Sequence, residues 1–195
     1  MEEDLPKRKK LRLNSHDYCN TNAFFVTICT QDRKRLLSEY AAISSVSAQT
    51  ISPVGEDLDP PADMRSNLSS RGQQYVPPLC LKAMGEIAVE QLLALEKRYP
   101  NVKISDYVIM PDHIHAIIIL YKSADAATPS LFDIMRVYKS ITSRICKQKY
   151  HVEKLFQRSY MEHIIRDKED YNAKRQYIRD NPIHWFYKHM CTSEK

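Results

Sequence analysis

The chain has 195 residues, 43% of them hydrophobic, with 29 Lys and Arg against 24 Asp and Glu for a formal net charge of +5. That length suits one domain with enough apolar residues for a core, and no apolar run is long enough to cross a bilayer. The charged start (residues 1–12) is unlike a secretory signal, and the five cysteines (Cys19, Cys29, Cys80, Cys146, Cys191) include no CxxC pair, so reduced thiols in a cytoplasmic protein are expected, without zinc knuckle or disulfide framework.

The first predicted strand covers residues 23–30 (AFFVTICT), rich in aromatic and β-branched side chains. Polar, basic sequence follows at 31–34. Residues 41–78 change to Ser, Pro, Asp, Gln and Gly with little periodicity, and are expected to be a mobile insertion lacking the apolar residues that offset ordering entropy. Leu81, Met84, Ile87, Ala88, Gln91, Leu92 and Leu95 then recur at helical spacing, predicting an amphipathic helix that ends near 99–100. Strands are predicted at 102–110 and 113–121, joined by a turn at Pro111-Asp112, and a loop at 123–129. A second helix is predicted over 130–148, with Leu131, Ile134, Met135, Tyr138, Ile141 and Ile145 on one side. Arg136, Lys139, Arg144 and Lys147 occupy the other. A fourth strand is expected over 155–165, and a third helix over 168–179, broken at Asn181-Pro182 and followed by a short terminal helix.

Strand-helix-strand-strand-helix-strand is the split-βαβ, ferredoxin-like order, an α+β plan with an extra C-terminal helix. It gives a mainly antiparallel sheet with two helices on one face. There is no phosphate-cradling Gly-rich loop among the three glycines, which argues against the usual nucleotide-binding motifs.

Two groups of residues carry chemistry. His113 and His115, two apart on a strand, project to the same face, and two neutral imidazoles side by side can chelate a divalent metal. The alternative is a pair of ordinary strand histidines. Tyr177 and Asn181 stand four apart on the third helix and share one side. An Asn amide oxygen suits a hard ion such as Mg²⁺ or Mn²⁺, although Tyr177 in the core and Asn181 as a helix end would explain the same residues. A two-His, one-Asn set is uncharged, so the ion keeps its charge for a phosphate, and Tyr177 would attack that phosphate to give a covalent phosphotyrosine and a free 3′-hydroxyl.

These residues sit in recognisable surroundings. YVIMPDHIHAIII (107–119) resembles the His-hydrophobic-His signature of the HUH single-strand DNA transposases. RLNSHDYCNTNAFFVTICTQDRKRLL (12–37) and LFQRSYMEHIIRDKEDYNAKRQYIRDNPIHW (155–185) resemble the first strand region and the C-terminal YIxxNP signature of the REP-associated tyrosine transposases. The similarity covers the chain outside 41–78. It implies a ferredoxin-like catalytic domain, His113 and His115 as metal ligands, Tyr177 as nucleophile on the appended helix, and Asn181 as a further ligand. It also implies single-stranded or hairpin DNA as substrate, such as repetitive extragenic palindromes; separately, a monomer or homodimer with no membrane partner is expected. Two departures stand out: the family commonly has Asn where this chain has Asp112, and Trp where it has Phe156.

For DNA contact, the expected residues are a basic N-terminal arm (Lys7, Arg8, Lys9, Lys10, Arg12), the basic helix face (Arg136, Lys139, Arg144, Lys147) and Arg158. A basic helix face can equally be merely solvated. Two other functions fit the same sequence: a non-enzymatic DNA-binding regulator retaining the fold, and a replication or mobilisation relaxase. The full set of His113, His115 and Tyr177 argues against the first, and the short chain without a helicase domain against the second.

Overall fold

In a computed structural model describing residues 22–41, 76–121 and 129–190, the elements run β1 (Asn22–Cys29), β2 (Ser38–Tyr40), β3 (Leu79–Leu81), α1 (Ala83–Arg98), β4 (Val102–Ile109), β5 (His113–Leu120), α2 (Leu131–Tyr150), β6 (Met161–Ile165) and α3 (Lys168–Met190). The basic arm at Lys7 to Arg12 and most of the 41–78 insertion lie outside the described residues. β4, β5, β1 and β6 form one sheet in that order, with every neighbouring pair antiparallel. β5 therefore fills the gap between β1 and β4, the split-βαβ arrangement expected from the element order.

Strand alternation divides the chemistry between the two faces. Ile114, Ala116, Ile118 and Leu120 of β5 pack against Ile87, Ala88, Leu92 and Leu95 of α1 and Leu131, Ile134, Met135 and Tyr138 of α2. On the opposite face Ile117 joins Val108, Met110, Ile178 and Trp185, the last two from α3. His113 and His115 share that second face with Ile117. Because β5 is covered on both sides, HIHAIIIL reads as a nearly continuous apolar run rather than an alternating one.

Three features depart from the sequence reading. The fourth strand begins at Met161 rather than near 155, and Phe156 contributes only an isolated bridge to Thr30. The intervening carbonyls are otherwise engaged: the Lys139 ammonium donates to those of Gln157 (2.6 Å), Arg158 (3.0 Å) and Ser159 (3.1 Å). Second, α3 runs unbroken through Pro182. Proline removes one helical N–H bond, but Ile178, Asn181 and Trp185 are buried on both sides of it, and the Tyr40 hydroxyl donates to the Pro182 carbonyl at 2.5 Å. Third, β2 and β3 form a short ribbon, and Ala41 N–H donates to the Pro78 carbonyl at 2.9 Å, so the ends of the insertion are brought together.

Candidate active site

β1, β5 and α3 bring the predicted chemical residues together. Thr27 of β1 lies opposite His115 of β5 in register, and Thr27 Oγ1 hydrogen-bonds His115 Nδ1 at 2.8 Å. Phe25, one pleat along on the same face, stacks on the His115 ring at 5.1 Å and 21°. With Nδ1 engaged, Nε2 is the remaining nitrogen of His115 for a ligand. Burial, reinforced by His113 and Arg33 nearby, pushes the His115 pKa down to about 3, so the ring is neutral at ordinary pH.

His113 is fixed from its other side. Burial alone would raise the Asp112 carboxyl, but His113, Trp185 and Arg33 outweigh it and hold that pKa below its usual value. An ionised carboxylate only accepts hydrogen bonds, so His113 Nδ1–H is the donor in the 2.8 Å contact with Asp112 Oδ1. Across the ring, His113 Nε2 meets Asn181 Oδ1 at 3.3 Å. A ring nitrogen and an amide oxygen this close are spaced as adjacent ligands of one cation would be, and a carboxylate behind a ligating His is the usual supporting arrangement. Among the described residues no group of three or more His, Cys, Asp or Glu is arranged to hold a metal. A metal here would thus have the neutral set His113, His115 and Asn181, which suits an ion with open positions for a phosphate.

Tyr177 lies beside this set. Its ring stands edge-on to His115 (5.2 Å, 74°) and to Phe25 (5.7 Å, 84°), while the residue remains 46% exposed. Ile178, the next residue, is fully buried and anchors the helix. Tyr177, His113, His115 and Asn181 all line one open cleft of about 590 Å³. Lys174 sits over the outer face of Phe25, 5.6 Å from the ring centre.

The DNA-contact residues expected on α2 are not in this cleft. Arg136, Lys139, Arg144 and Lys147 belong to the helix layer across the sheet. Arg136 is exposed and pairs with Asp133 at 3.5 Å, and Arg144 and Lys147 are exposed. Lys139 donates its ammonium N–H groups to the carbonyls of residues 157–159, an engagement that the sequence did not show. Arg158 is exposed on that same loop. His163 is satisfied by Asp170 at 2.7 Å.

Sequence reasoning missed several cleft residues: Arg33, Arg35, His184, Trp185, Lys188 and His189. It also missed the hub formed by Asp112, which takes Trp185 Nε1–H at 3.1 Å as well as His113. The signal for the α3 group was available. A helix continued past Asn181 puts 184, 185 and 188 on the side of 177 and 181, and the expected break at Pro182 concealed this.

An uncharacterized protein of Haemophilus influenzae is 22% identical over 195 residues, covering 91% of this chain and 89% of its own. A solved structure of a REP-associated tyrosine transposase bound to a REP hairpin is similar in fold, with a TM-score of 0.52 at 17% identity over 89% of this chain and 74% of that one. Residues 80–181, a stretch that includes both histidines, Tyr177 and Asn181, match the IS200-like transposase family, and the chain belongs to that family.

Proposed function

We propose that this transposase-family protein is a metal-dependent endonuclease and strand transferase of single-stranded DNA, acting on hairpin or palindromic substrates through a 5′-phosphotyrosine intermediate. The observation that carries the reading is an exposed tyrosine edge-on to a buried, neutral imidazole in the cleft that His113 and Asn181 also line. A core tyrosine would be covered; Tyr177 is not. The hairpin preference rests on the solved neighbour, whose own ligand is a hairpin.

Each side chain then has a task. His113, His115 and Asn181 would hold a divalent ion, which when bound polarises the phosphate and offsets charge on its oxygens. Asp112 and Thr27 fix the ring orientations of the two histidines. Phe25 and His115 hold the Tyr177 ring edge-on while the residue stays exposed. The phenol yields its proton to solvent as its oxygen attacks phosphorus, the bond to the 3′-oxygen breaks, and that oxygen takes a proton from solvent and leaves as a 3′-hydroxyl. A second 3′-hydroxyl then attacks the phosphotyrosine, restoring a phosphodiester and freeing Tyr177. The exchange of one ester for another needs no ATP. Arg158, Arg136, Arg144 and Lys147, outside the cleft, would serve as contacts to flanking phosphates, as would the basic arm at Lys7 to Arg12.

The test incubates the protein with Mn²⁺ and a 3′-end-labelled hairpin oligonucleotide, then seeks a denaturation-resistant adduct. The 3′ label should travel with the protein and a 5′ label should not. Tyr177→Phe should form no adduct while binding the hairpin normally; an adduct in that variant would refute the nucleophile. Full cleavage in EDTA would refute the metal.

A further inference from the structure

Phosphoryl transfer at Tyr177 places charge on the non-bridging oxygens of the phosphate, and a cationic side chain in the cleft would offset it. One arginine is built into the same cleft by an unusual stretch of backbone. Asp32 and Arg33 are consecutive and both left-handed, with φ of 55° and 54°, a conformation that non-glycine residues adopt only where their surroundings impose it. The surroundings are rigid. Thr30 is fully buried; its N–H donates to the Asp112 carbonyl at 3.0 Å, and its hydroxyl is shared between that carbonyl (3.0 Å) and the Lys34 carbonyl (2.8 Å). Leu37 N–H reaches the Pro111 carbonyl at 3.1 Å. The turn is thereby fastened on both sides to the residues just before His113.

The result is an arginine aimed into the cleft yet weakly held. Arg33 Nη1 reaches Asp112 Oδ2 at 3.4 Å, with its side chain 49% exposed. The partner oxygen, Oδ1, already takes His113 and Trp185. A guanidinium has five N–H donors, and this single long contact leaves the fork free to meet a phosphate. Arg35, two residues on, is used differently: it lies over the Trp185 ring at 5.0 Å and approaches Met190 Sδ at 3.8 Å.

Building on the reading of Tyr177 as nucleophile, we propose that Arg33 is a second catalytic residue, whose guanidinium binds the non-bridging oxygens of the phosphate that Tyr177 attacks. Asp112 parks the arginine between substrates. No proton passes through it: the bond to the 3′-oxygen breaks as the bond to the tyrosine oxygen forms, and Arg33 neutralises charge in both transfers. A structural arginine that merely balanced Asp112 would be indifferent to the charge of any one DNA linkage.

The test uses hairpin oligonucleotides in which each phosphate in turn is replaced by a neutral methylphosphonate, with affinity measured in EDTA so that binding is read without cleavage. The wild type should lose roughly tenfold at one linkage, the one cut when Mn²⁺ is added. Arg33→Ala should bind the unmodified hairpin about tenfold more weakly and lose no more than about twofold from that methylphosphonate. Its single-turnover adduct formation should fall a further ~100-fold or more, with partial recovery in Arg33→Lys, which keeps charge but not the fork. Melting temperatures of both variants should stay near the wild type. A methylphosphonate penalty in Arg33→Ala equal to that of the wild type would overturn the proposal. Loss of the penalty in Arg33→Ala, with no adduct from the wild type, would overturn Tyr177 as nucleophile and leave Arg33 as a phosphate-binding residue.

Discussion

Replacing Asp112 by Asn, the residue that the family resemblance places there, removes one charge and almost no volume. The carboxylate accepts from His113 Nδ1 at 2.8 Å and Trp185 Nε1 at 3.1 Å, and both acceptor contacts survive in the amide. What is lost is their charge assistance, about 1 kcal/mol for each bond. The Arg33 contact, at 3.4 Å and half exposed, adds no more than about 0.5 kcal/mol after solvent screening. An amide is cheaper to bury than a carboxylate, so the net loss should be about 1–2 kcal/mol, a fall in Tm of about 3–6 °C for a domain this size. Asp112→Ala, which leaves the indole N–H and His113 Nδ1–H without their acceptor, should cost more, about 3–5 kcal/mol. Metal affinity gives the second readout: with a neutral partner behind His113, Mn²⁺ should bind roughly 10–100-fold more weakly by calorimetry. Thermal scans are run in EDTA to keep the two effects apart. An Asp112→Asn variant that matches the wild type in both Tm and Mn²⁺ affinity would refute the role of this carboxylate as the support of His113.

The remaining predictions concern the frame around the site. Gly85→Ala would place a Cβ 2.0 Å from the Leu37 backbone carbonyl oxygen, so α1 must shift; a loss of about 3 kcal/mol or more in denaturant unfolding is expected. Lys139→Ala should lower stability by about 1–2 kcal/mol, by freeing three carbonyls, and leave the salt dependence of hairpin binding unchanged, whereas Arg144→Ala with Lys147→Ala should do the reverse if α2 meets DNA. Asp170 is held below its usual carboxyl pKa mainly by the hydrogen bond with His163, which ties β6 to α3. Its contribution is therefore present above the unfolded value near pH 4 and lost as pH falls through the lower folded value. Asp170→Asn should melt below the wild type at pH 6 and converge with it in acid; a constant deficit across that range would contradict the assignment.

Three of the sheet's four strands were legible because they are strongly marked. AFFVTIC, VKISDYVI and HIHAIIIL are dense in β-branched and aromatic residues, and their observed ends fall within a residue or so of the expected ones. The two helices that cover the sheet were legible for a related reason: each has one wide apolar side. The site was half legible. A two-residue period puts His113 and His115 on one face without reference to the rest of the fold, and a four-residue step does the same for Tyr177 and Asn181. Long-range contacts were not legible. Nothing local announces that Asp112 takes a tryptophan 73 positions away, or that Arg33 reaches back to that same carboxylate. The ribbon of β2 and β3 is three residues a side, too short for alternation to register.

The misreading at Pro182 has a further physical meaning. α3 buries only Ile178, Asn181 and Trp185, a narrow stripe in 23 residues, and one of the three is polar. Such a helix carries little hydrophobic drive of its own. It is held instead by directed contacts: Arg175 Nε–H to both oxygens of buried Asp106 (3.1 Å each), Tyr171 to Ser105, Tyr40 to the Pro182 carbonyl, and Trp185 to Asp112. Bonds of this kind fix position and register more sharply than they add stability, since each is satisfied at one placement of the helix. That placement is the one in which Asn181 faces His113 and the Tyr177 ring meets His115 edge-on. Hydrophobic periodicity records how strongly a helix is buried and says little about how accurately it is placed, so the helix with the weakest periodic signal is also the one whose geometry the proposed chemistry depends on most.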